Sequence, residues 1–287
     1  MFTGSFVALV TPFKNGKVDE VKLEDLVELH ISAGTNGLVP CGTTGESPTL
    51  SHDEHELVIE RVVRKANGRI PVLAGTGSNN TAEAIRLTRS AQEMGADGAL
   101  LISPYYNKPT QLGLKRHFEA IAKETDLPVV LYNVPSRTSS NVLPSTVIEL
   151  SKIENIVGIK EASGSIDQTV EILRETDLVV LSGDDSLTLS LMAVGAKGVI
   201  SVAANVVPKL VVDLVDLATA GDYAAARDLH YRLYPLFKNL FLETNPIPVK
   251  AAMTMQGTIE PEIRLPLTEM SDANRRILEQ SLDALEK

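Results

Sequence analysis

The chain has 287 residues, of which 44% are hydrophobic and 22% charged, and its formal net charge is −10. That negative charge disfavours non-specific binding to nucleic acid or to an acidic membrane. The single cysteine, Cys41, excludes an intrachain disulfide framework and a cysteine-based zinc site. The opening residues carry no basic segment, and no apolar stretch approaches the roughly 18 residues that span a membrane. We therefore expect a soluble, cytoplasmic protein without a signal peptide.

Eight short apolar runs recur along the chain and predict eight buried β-strands. The runs lack polar/apolar alternation, which is typical of parallel strands covered on both faces. They begin at Gly4, Gly37, Pro71, Gly98, Pro128, Ile156, Leu178 and Gly198. Amphipathic segments between the runs predict helices, among them Val21–Ala33, Asp53–Ala66, Thr81–Met94 and Leu114–Thr125.

The strict succession of strands and helices predicts the α/β class and, within it, a closed (β/α)8 TIM barrel. After the eighth unit, from about Val207, the sequence is typical of helices as far as Lys287. This segment is longer than a barrel needs for its closure. We therefore expect a catalytic barrel over residues 1–220 and a C-terminal helical extension over residues 221–287, packed on the barrel.

The sixth predicted strand ends in a lysine, Lys160, within the sequence NIVGIKEASG. In such barrels the chemistry lies at the C-terminal ends of the strands. Burying an ammonium group costs several kcal/mol unless the group is paired or loses its proton. A desolvated lysine at this place is therefore suited to attack a carbonyl as the neutral amine and to form a Schiff base. The alternative is a lysine that pairs with Glu161 or extends to solvent.

Other predicted strands also end in residues that could take part in chemistry. The second strand leads into the sequence CGTTGESPT, a turn rich in N–H and hydroxyl donors that could hold a carboxylate. Tyr105 and Tyr106 follow the fourth strand, and Tyr132 and Arg137 lie at the end of the fifth. A phenol near an imine can relay protons, and a guanidinium can bind a carboxylate through two hydrogen bonds. The alternatives are a plain turn, core tyrosines and a surface arginine.

Six motifs taken together resemble the dihydrodipicolinate synthase family, of the pyruvate-dependent aldolase group that also contains N-acetylneuraminate lyase. In chain order they are GTTGES, SPYYNKP, YNVPSRT, GIKEASG, LSGDD and NPIPVK. The resemblance implies condensation of pyruvate with L-aspartate 4-semialdehyde through a lysine Schiff base, in lysine and diaminopimelate biosynthesis. It also implies a homotetramer built as a dimer of tight dimers, and no metal or organic cofactor.

The resemblance assigns catalytic roles to residues of four motifs. Lys160 would form the imine with pyruvate, and Thr43 and Thr44 would bind the pyruvate carboxylate. Tyr132 would shuttle protons, linked through Thr43 to Tyr106, which the neighbouring subunit would donate. A complete site would then need a dimer.

Three further positions would contact the substrates, and one of them separates the possible activities. Gly183 and Ile200 would line the pyruvate pocket, and Arg137 would bind the carboxylate of the aldehyde. The alternative function is another Schiff-base aldolase, such as N-acetylneuraminate lyase or a sugar-acid aldolase or dehydratase. Arg137 favours a short aldehyde with a carboxylate over a long polyol. A non-catalytic barrel is disfavoured because Lys160 and Tyr132 are both present.

The resemblance finally implies feedback inhibition by L-lysine at the tight dimer interface. The implied site consists of Ser47, His52, His55, Asn79, Glu83 and Tyr105. A carboxylate suits the α-ammonium of this ligand, while phenol and amide groups suit its carboxylate. The alternative is a set of ordinary helix-start and surface residues. A metal site is disfavoured, because only two of the five histidines lie close together, at a helix start rather than a strand end.

Overall fold

The computed structural model of the chain describes residues 2–285, and the strands within them confirm the predicted barrel. The strands are β1 (Gly4–Ala8), β2 (Phe13–Lys14), β3 (Lys17–Val18), β4 (Gly37–Val39), β5 (Leu73–Gly75), β6 (Gly98–Ile102), β7 (Val129–Asn133), β8 (Ile156–Glu161), β9 (Val179–Ser182) and β10 (Gly198–Ser201). Eight of them form one sheet in the order β4-β1-β10-β9-β8-β7-β6-β5. A parallel bridge between Leu38 and Val72 joins the two ends of this sheet, so the barrel closes.

Helices follow the barrel strands and cover the outside of the sheet. Over residues 2–285 they are α1 (Glu20–Ser32), α2 (His52–Ala66), α3 (Thr81–Glu93), α4 (Gln111–Ala122), α5 (Pro135–Thr138), α6 (Pro144–Leu150), α7 (Ile166–Glu175), α8 (Thr188–Ala193), α9 (Pro208–Thr219), α10 (Tyr223–Asn239), α11 (Ile247–Met255) and α12 (Asp272–Asp283). Short 3-10 turns lie at Ser47–Thr49, Asp185–Leu187 and Ala203–Asn205. None of the described helices is long and apolar enough to cross a membrane.

Capping residues explain where the predicted helices differ from the observed ones. The fourth helix begins three residues earlier than predicted, because the Thr110 side chain accepts a hydrogen bond from the backbone N–H of Gly113. Ser51 and Glu54 form a capping box at the start of α2. The segment after β7 forms two short helices, α5 and α6, and each begins with a proline.

Two apolar clusters stabilise the barrel. The larger cluster lies between the sheet and the surrounding helices and includes most of the buried Leu, Ile and Val side chains. The smaller one fills the barrel interior with side chains that alternate with the outward-facing ones: Phe2, Phe6, Ala8, Val39, Leu73, Leu100, Val130, Tyr132, Val134, Ala162, Leu181 and Ile200. The packed interior leaves the C-terminal ends of the strands as the place for a cavity.

The three helices after α9 pack on the barrel and on one another. Helix α10 contacts α9 and α8, and α12 contacts both α10 and α11. The segment between α10 and α11 also reaches the C-terminal ends of the strands, where Phe241, Leu242, Glu243, Thr244 and Asn245 line a cavity. The division of the chain at about residue 220 stays a prediction.

Candidate active site

Lys160 lies near the end of β8 and is buried inside the barrel, with 6% of its surface exposed. Parallel pairing places it beside Tyr132 on β7, and its Nζ lies 4.2 Å from the centroid of the Tyr132 ring. Burial lowers the pKa of Lys160 to about 8, while the charges of Asp184 and Asp185 oppose the shift. The lysine therefore neither extends to solvent nor sits in an ordinary surface setting.

Glu161 does not neutralise the lysine, because it faces the other side of β8. Its carboxylate accepts hydrogen bonds from Asn133 Nδ2, from the Ser163 backbone N–H and from Gln168 Nε2. These bonds tie β7, β8 and α7 together behind the site. The alternative interpretation of Lys160 as the partner of Glu161 is therefore not supported by the structure.

A cavity of about 550 Å³ opens above Lys160 at the C-terminal ends of the strands. Its volume is in the range of pockets that hold small molecules. Its polar lining residues are Thr43, Thr44, Tyr132, Ser136, Arg137, Lys160, Asp184, Glu243, Thr244 and Asn245. Most of the residues predicted for substrate chemistry therefore meet in one cavity, although they come from separate parts of the chain.

The turn after β4 presents free backbone donors to this cavity. Gly45 and Glu46 donate their N–H groups back to the carbonyls of Gly42 and Thr43, at 3.1 Å each. Within residues 2–285, the N–H groups of Thr43 and Thr44 donate to no protein acceptor. Two adjacent free N–H groups beside a hydroxyl are suited to bind a carboxylate.

Tyr132 is almost completely buried beside Lys160, and this burial raises the pKa of its phenol to about 12. The charge of Arg137 and the neighbouring Thr43 side chain oppose the shift, and the charge of Asp184 adds to it. The phenol therefore stays protonated at neutral pH and is placed to pass a proton between the cavity and Thr43.

Arg137 stands at the exposed rim of the cavity on α5, and one of its terminal nitrogens donates to the Asn245 carbonyl at 3.3 Å. Gly183 lines the cavity. Ile200, by contrast, is fully buried in the barrel interior with Tyr132 and is not among the residues that line the cavity. It packs beneath the site, because its side chain points into the filled part of the barrel.

Five polar residues of the cavity lining were not predicted as site residues: Ser136, Asp184, Glu243, Thr244 and Asn245. Asp184 follows β9, and burial raises the pKa of its carboxyl group, while Lys160 opposes the shift. Asn245 donates from Nδ2 to the Thr44 Oγ1 at 2.9 Å. Asp184 lies in the motif LSGDD at the end of a strand, and Asn245 opens the motif NPIPVK. The sequence therefore marks both positions, but the contact of Asn245 with the turn after β4 depends on packing between distant parts of the chain.

A second cavity, of about 450 Å³, lies beside the first and shares Gly42, Thr43, Leu100, Tyr132 and Arg137 with it. Five of the six residues predicted for a lysine site line it: Ser47, His52, His55, Glu83 and Tyr105. The sixth, Asn79, is not in the lining and donates from its side chain to the Tyr105 carbonyl at 3.1 Å.

The polar groups of this second cavity are already connected. Glu83 accepts from the Ser78 hydroxyl and lies 2.9 Å from His52 Nε2, and these contacts lower the pKa of its carboxyl group. His55 is buried, with Nε2 2.9 Å from the Gly75 carbonyl, and burial lowers its pKa. Its Nε2 therefore carries the proton in the neutral ring.

Tyr106 lines neither of these two cavities. It is 90% exposed, and its backbone has a φ of 73°, in the left-handed region that bulky residues rarely adopt. An exposed aromatic side chain on such a backbone is held outward, away from the chain that carries it.

Comparison with known proteins agrees with this geometry. Residues 1–285 match the dihydrodipicolinate synthetase family. The 4-hydroxy-tetrahydrodipicolinate synthase of Syntrophobacter fumaroxidans is 58% identical over 287 residues, which cover 99% of each chain. The crystal structure of dihydrodipicolinate synthase from Aquifex aeolicus superimposes with a TM-score of 0.98 at 54% identity, covering 99% of this chain and 98% of that one.

Another of the similar structures was solved with a small molecule bound. The chloride-inhibited dihydrodipicolinate synthase from Acinetobacter baumannii, complexed with pyruvate, has a TM-score of 0.98 and 47% identity and covers 100% of this chain and 99% of that one. The shared fold, the full coverage and the lysine in its cavity lead to one conclusion: this chain belongs to the dihydrodipicolinate synthetase family.

Proposed function

We propose that the chain condenses pyruvate with L-aspartate 4-semialdehyde through an imine on Lys160. The observation that carries the proposal is the buried Lys160 amine, with a pKa of about 8, in a cavity that also contains Tyr132 and a turn with free N–H donors. The names of the similar proteins and the pyruvate complex of the Acinetobacter baumannii protein support this choice of substrates.

The first steps bind pyruvate and form the imine. The N–H groups of Thr43 and Thr44 hold the pyruvate carboxylate, which directs the carbonyl carbon toward Nζ of Lys160. With a pKa of about 8, about half of the lysine is the neutral amine at pH 8. The amine attacks the carbonyl carbon, and Tyr132 donates a proton as the hydroxyl group leaves as water.

The later steps use the imine as an electron sink. The Tyr132 phenolate, which has just given up its proton, takes a methyl proton and leaves an enamine. The enamine carbon attacks the aldehyde carbon of the second substrate, and Tyr132 returns the proton to the aldehyde oxygen, which restores the imine on Lys160. Arg137 at the rim of the cavity binds the carboxylate of that substrate through charged hydrogen bonds. The substrate amine then attacks the imine carbon, closes the ring and releases Lys160.

The expectation that no metal or organic cofactor takes part stays a prediction, as does the cytoplasmic location.

Borohydride trapping tests the proposal directly. The protein is incubated with pyruvate and sodium borohydride, and the reduced adduct is mapped by mass spectrometry. We expect one adduct, on Lys160, and none in the Lys160→Ala variant. An adduct on a different lysine, or no adduct, contradicts the mechanism. A screen of aldehydes with the pyruvate-loaded enzyme then separates aspartate semialdehyde from sugar-like substrates.

For the second cavity we propose that it binds L-lysine as a feedback inhibitor. Glu83 lies in its lining and offers a carboxylate for the ligand's α-ammonium. Support comes from the dihydrodipicolinate synthase of Cyanidioschyzon merolae, whose structure has lysine bound; it has a TM-score of 0.97 and 40% identity and covers 99% of this chain and 98% of that one.

Initial rates measured against L-lysine test this regulation. We expect inhibition of the wild type and its loss in Glu83→Ala, while Glu56→Ala on the same side of the barrel serves as the matched control. Glu56 lies outside the second cavity and pairs with Arg86. Full activity of the wild type at saturating lysine contradicts the proposal, and inhibition that survives Glu83→Ala places the site elsewhere.

We also propose that the chain forms a homotetramer, a dimer of tight dimers, in which Tyr106 reaches into the site of the neighbouring subunit. Its 90% exposure and outward position support this role. Assembly is not a requirement of the fold, since one similar structure is that of a monomeric dihydrodipicolinate synthase variant. It has 44% identity and a TM-score of 0.97 and covers 99% of this chain and 97% of that one.

A further inference from the structure

A buried ion pair joins the C-terminal helices to the turn after β4. Nζ of Lys250, on α11, lies 2.5 Å from Oε1 of Glu46 and donates to the Thr11 carbonyl at 3.1 Å. The exposed fractions of the two charged side chains are 5% and 0%. The backbone N–H of Arg264 donates to the second oxygen of Glu46 at 3.1 Å. Desolvation offsets much of the attraction in such a pair, so its presence points to a role other than stability alone.

The backbone at Glu46 needs to be held in place. Glu46 has a φ of 53° and a ψ of 34°, and Cys41, at the other end of the turn, has a φ of 56°. Residues other than glycine are disfavoured in this left-handed region and remain there only when their surroundings fix them. At Glu46 those surroundings are the contacts from Lys250 and Arg264.

The same helix start also holds the middle of the turn. Asn245, five residues before Lys250, donates from Nδ2 to the Thr44 Oγ1 at 2.9 Å. The Thr11 hydroxyl donates to the Gly45 carbonyl at 2.7 Å. Consecutive residues of the turn are therefore fixed from outside it, and two of these contacts come from residues 245–250.

We propose that the Lys250–Glu46 pair positions the turn that binds the pyruvate carboxylate. It fixes residues 42–46 so that the N–H groups of Thr43 and Thr44 converge on the carboxylate of the substrate. This inference rests on the proposed function, which assigns that carboxylate to the turn. Lys250 and Glu46 do not line the catalytic cavity, so they act through the turn and are positioning residues. The C-terminal helices are then part of the pyruvate site.

The test measures adduct formation with borohydride as a function of pyruvate concentration. Lys250→Met keeps the length of the side chain but leaves the Glu46 carboxylate without its partner. We expect the half-saturating pyruvate concentration to rise about tenfold, since small displacements of positioning groups have effects of this size. The KM for L-aspartate 4-semialdehyde should stay within about twofold, because Arg137 lies outside the turn. Lys250→Arg keeps the charge and should recover part of the pyruvate affinity.

A general loss of stability is separated from positioning by Leu150→Ala on α6. Leu150 is fully buried and lies in neither the turn nor the cavity, so this variant should be less stable and yet bind pyruvate normally. Normal pyruvate affinity in Lys250→Met overturns the inference. So does a loss of pyruvate affinity in Leu150→Ala that equals the loss in Lys250→Met.

A further variant covers the case in which Lys250→Met does not fold. Glu46→Asp keeps the negative charge but shortens the side chain that reaches Lys250. It is expected to raise the half-saturating pyruvate concentration while leaving the aldehyde KM unchanged, and an unchanged pyruvate affinity contradicts the inference. Absence of any adduct in the wild type is a different result, which contradicts the proposed function instead.

Discussion

The reactivity of Lys160 depends on two opposing influences on its ammonium form. Burial disfavours the charged amine and is the larger influence, while the carboxylates of Asp184 and Asp185 favour it. Asp185 is engaged elsewhere, since it accepts hydrogen bonds from the Ser201 hydroxyl and from the N–H groups of Val202 and Ala203. Asp184 lines the cavity, so it is the carboxylate whose substitution can change the pKa of Lys160.

Replacing Asp184 with asparagine should therefore lower the pKa of Lys160 below about 8. Because the carboxylate raises the lysine pKa, its removal leaves more neutral amine at lower pH. The acidic limb of the rate of pyruvate adduct formation should move to lower pH in a profile measured between about pH 5.5 and 9.5. Asp167→Asn, at an exposed position on α7, is the matched control. An unchanged limb, or one displaced to higher pH, contradicts the prediction.

Arg137 acts on the second substrate in the proposed mechanism, so its removal should affect the two substrates unequally. In Arg137→Ala we expect the KM for L-aspartate 4-semialdehyde to rise about tenfold to a hundredfold, the size of a lost charged hydrogen bond. The half-saturating pyruvate concentration in the trapping assay should change little. Arg137→Lys keeps the charge but cannot form two parallel hydrogen bonds with a carboxylate. Its KM for the aldehyde should lie between the values of the wild type and of Arg137→Ala. An equal rise in the aldehyde KM and in the half-saturating pyruvate concentration shows instead that Arg137 is structural.

The shape of the site depends on how closely the ends of β8 and β9 approach each other. A Cβ atom at Gly183 would lie 2.6 Å from the Ala162 Cβ and 3.2 Å from the Lys160 Cε. Such contacts are too short for a rigid pair of strands. The absence of a side chain at Gly183 therefore leaves room for Lys160 between the two strand ends.

Gly183→Ala should displace the lysine and lower the rate of adduct formation about tenfold or more. The double variant Gly183→Ala/Ala162→Gly removes the shorter of the two contacts and should recover part of that rate. Thermal unfolding of both variants, measured in parallel, reports any general loss of stability. If the single variant traps pyruvate at the wild-type rate, or the second substitution gives no recovery, the proposed steric cause is wrong.

The strands could be predicted from the sequence because each is a compact apolar run, covered on both faces, and the structure confirms all eight. The hairpin of β2 and β3 was missed because its strands are two residues long and one face is exposed. The roles of Asn245 and Lys250 could not be predicted. Their partners, Thr44 and Glu46, are about 200 residues away in sequence, and only the packing of α11 on the barrel joins them.

A single chain contains the proposed imine site but leaves Tyr106 without a place in it. The tyrosine is 90% exposed and lines neither the catalytic cavity nor the second cavity of its own chain. A large aromatic side chain at such exposure is typical of an interface anchor. If a second subunit receives it, each site contains Lys160 and Tyr132 from one chain and Tyr106 from the other.

This arrangement predicts that two inactive variants restore activity together. Tyr106→Phe lacks the donated hydroxyl, and Lys160→Ala lacks the imine lysine, so each homodimer should be inactive or nearly so. In a mixed dimer, one of the two sites combines the intact Lys160 of the first chain with the intact Tyr106 of the second. Random re-association should therefore give about a quarter of wild-type activity, since half of the dimers are mixed and half of their sites are complete.

The measurement compares the rate of a dissociated and re-associated mixture with the sum of the separate rates, and mass spectrometry verifies the mixed dimers. Lys160→Ala mixed with a second preparation of itself controls for the procedure, and verified mixed dimers without recovered activity show that each chain has a self-contained site.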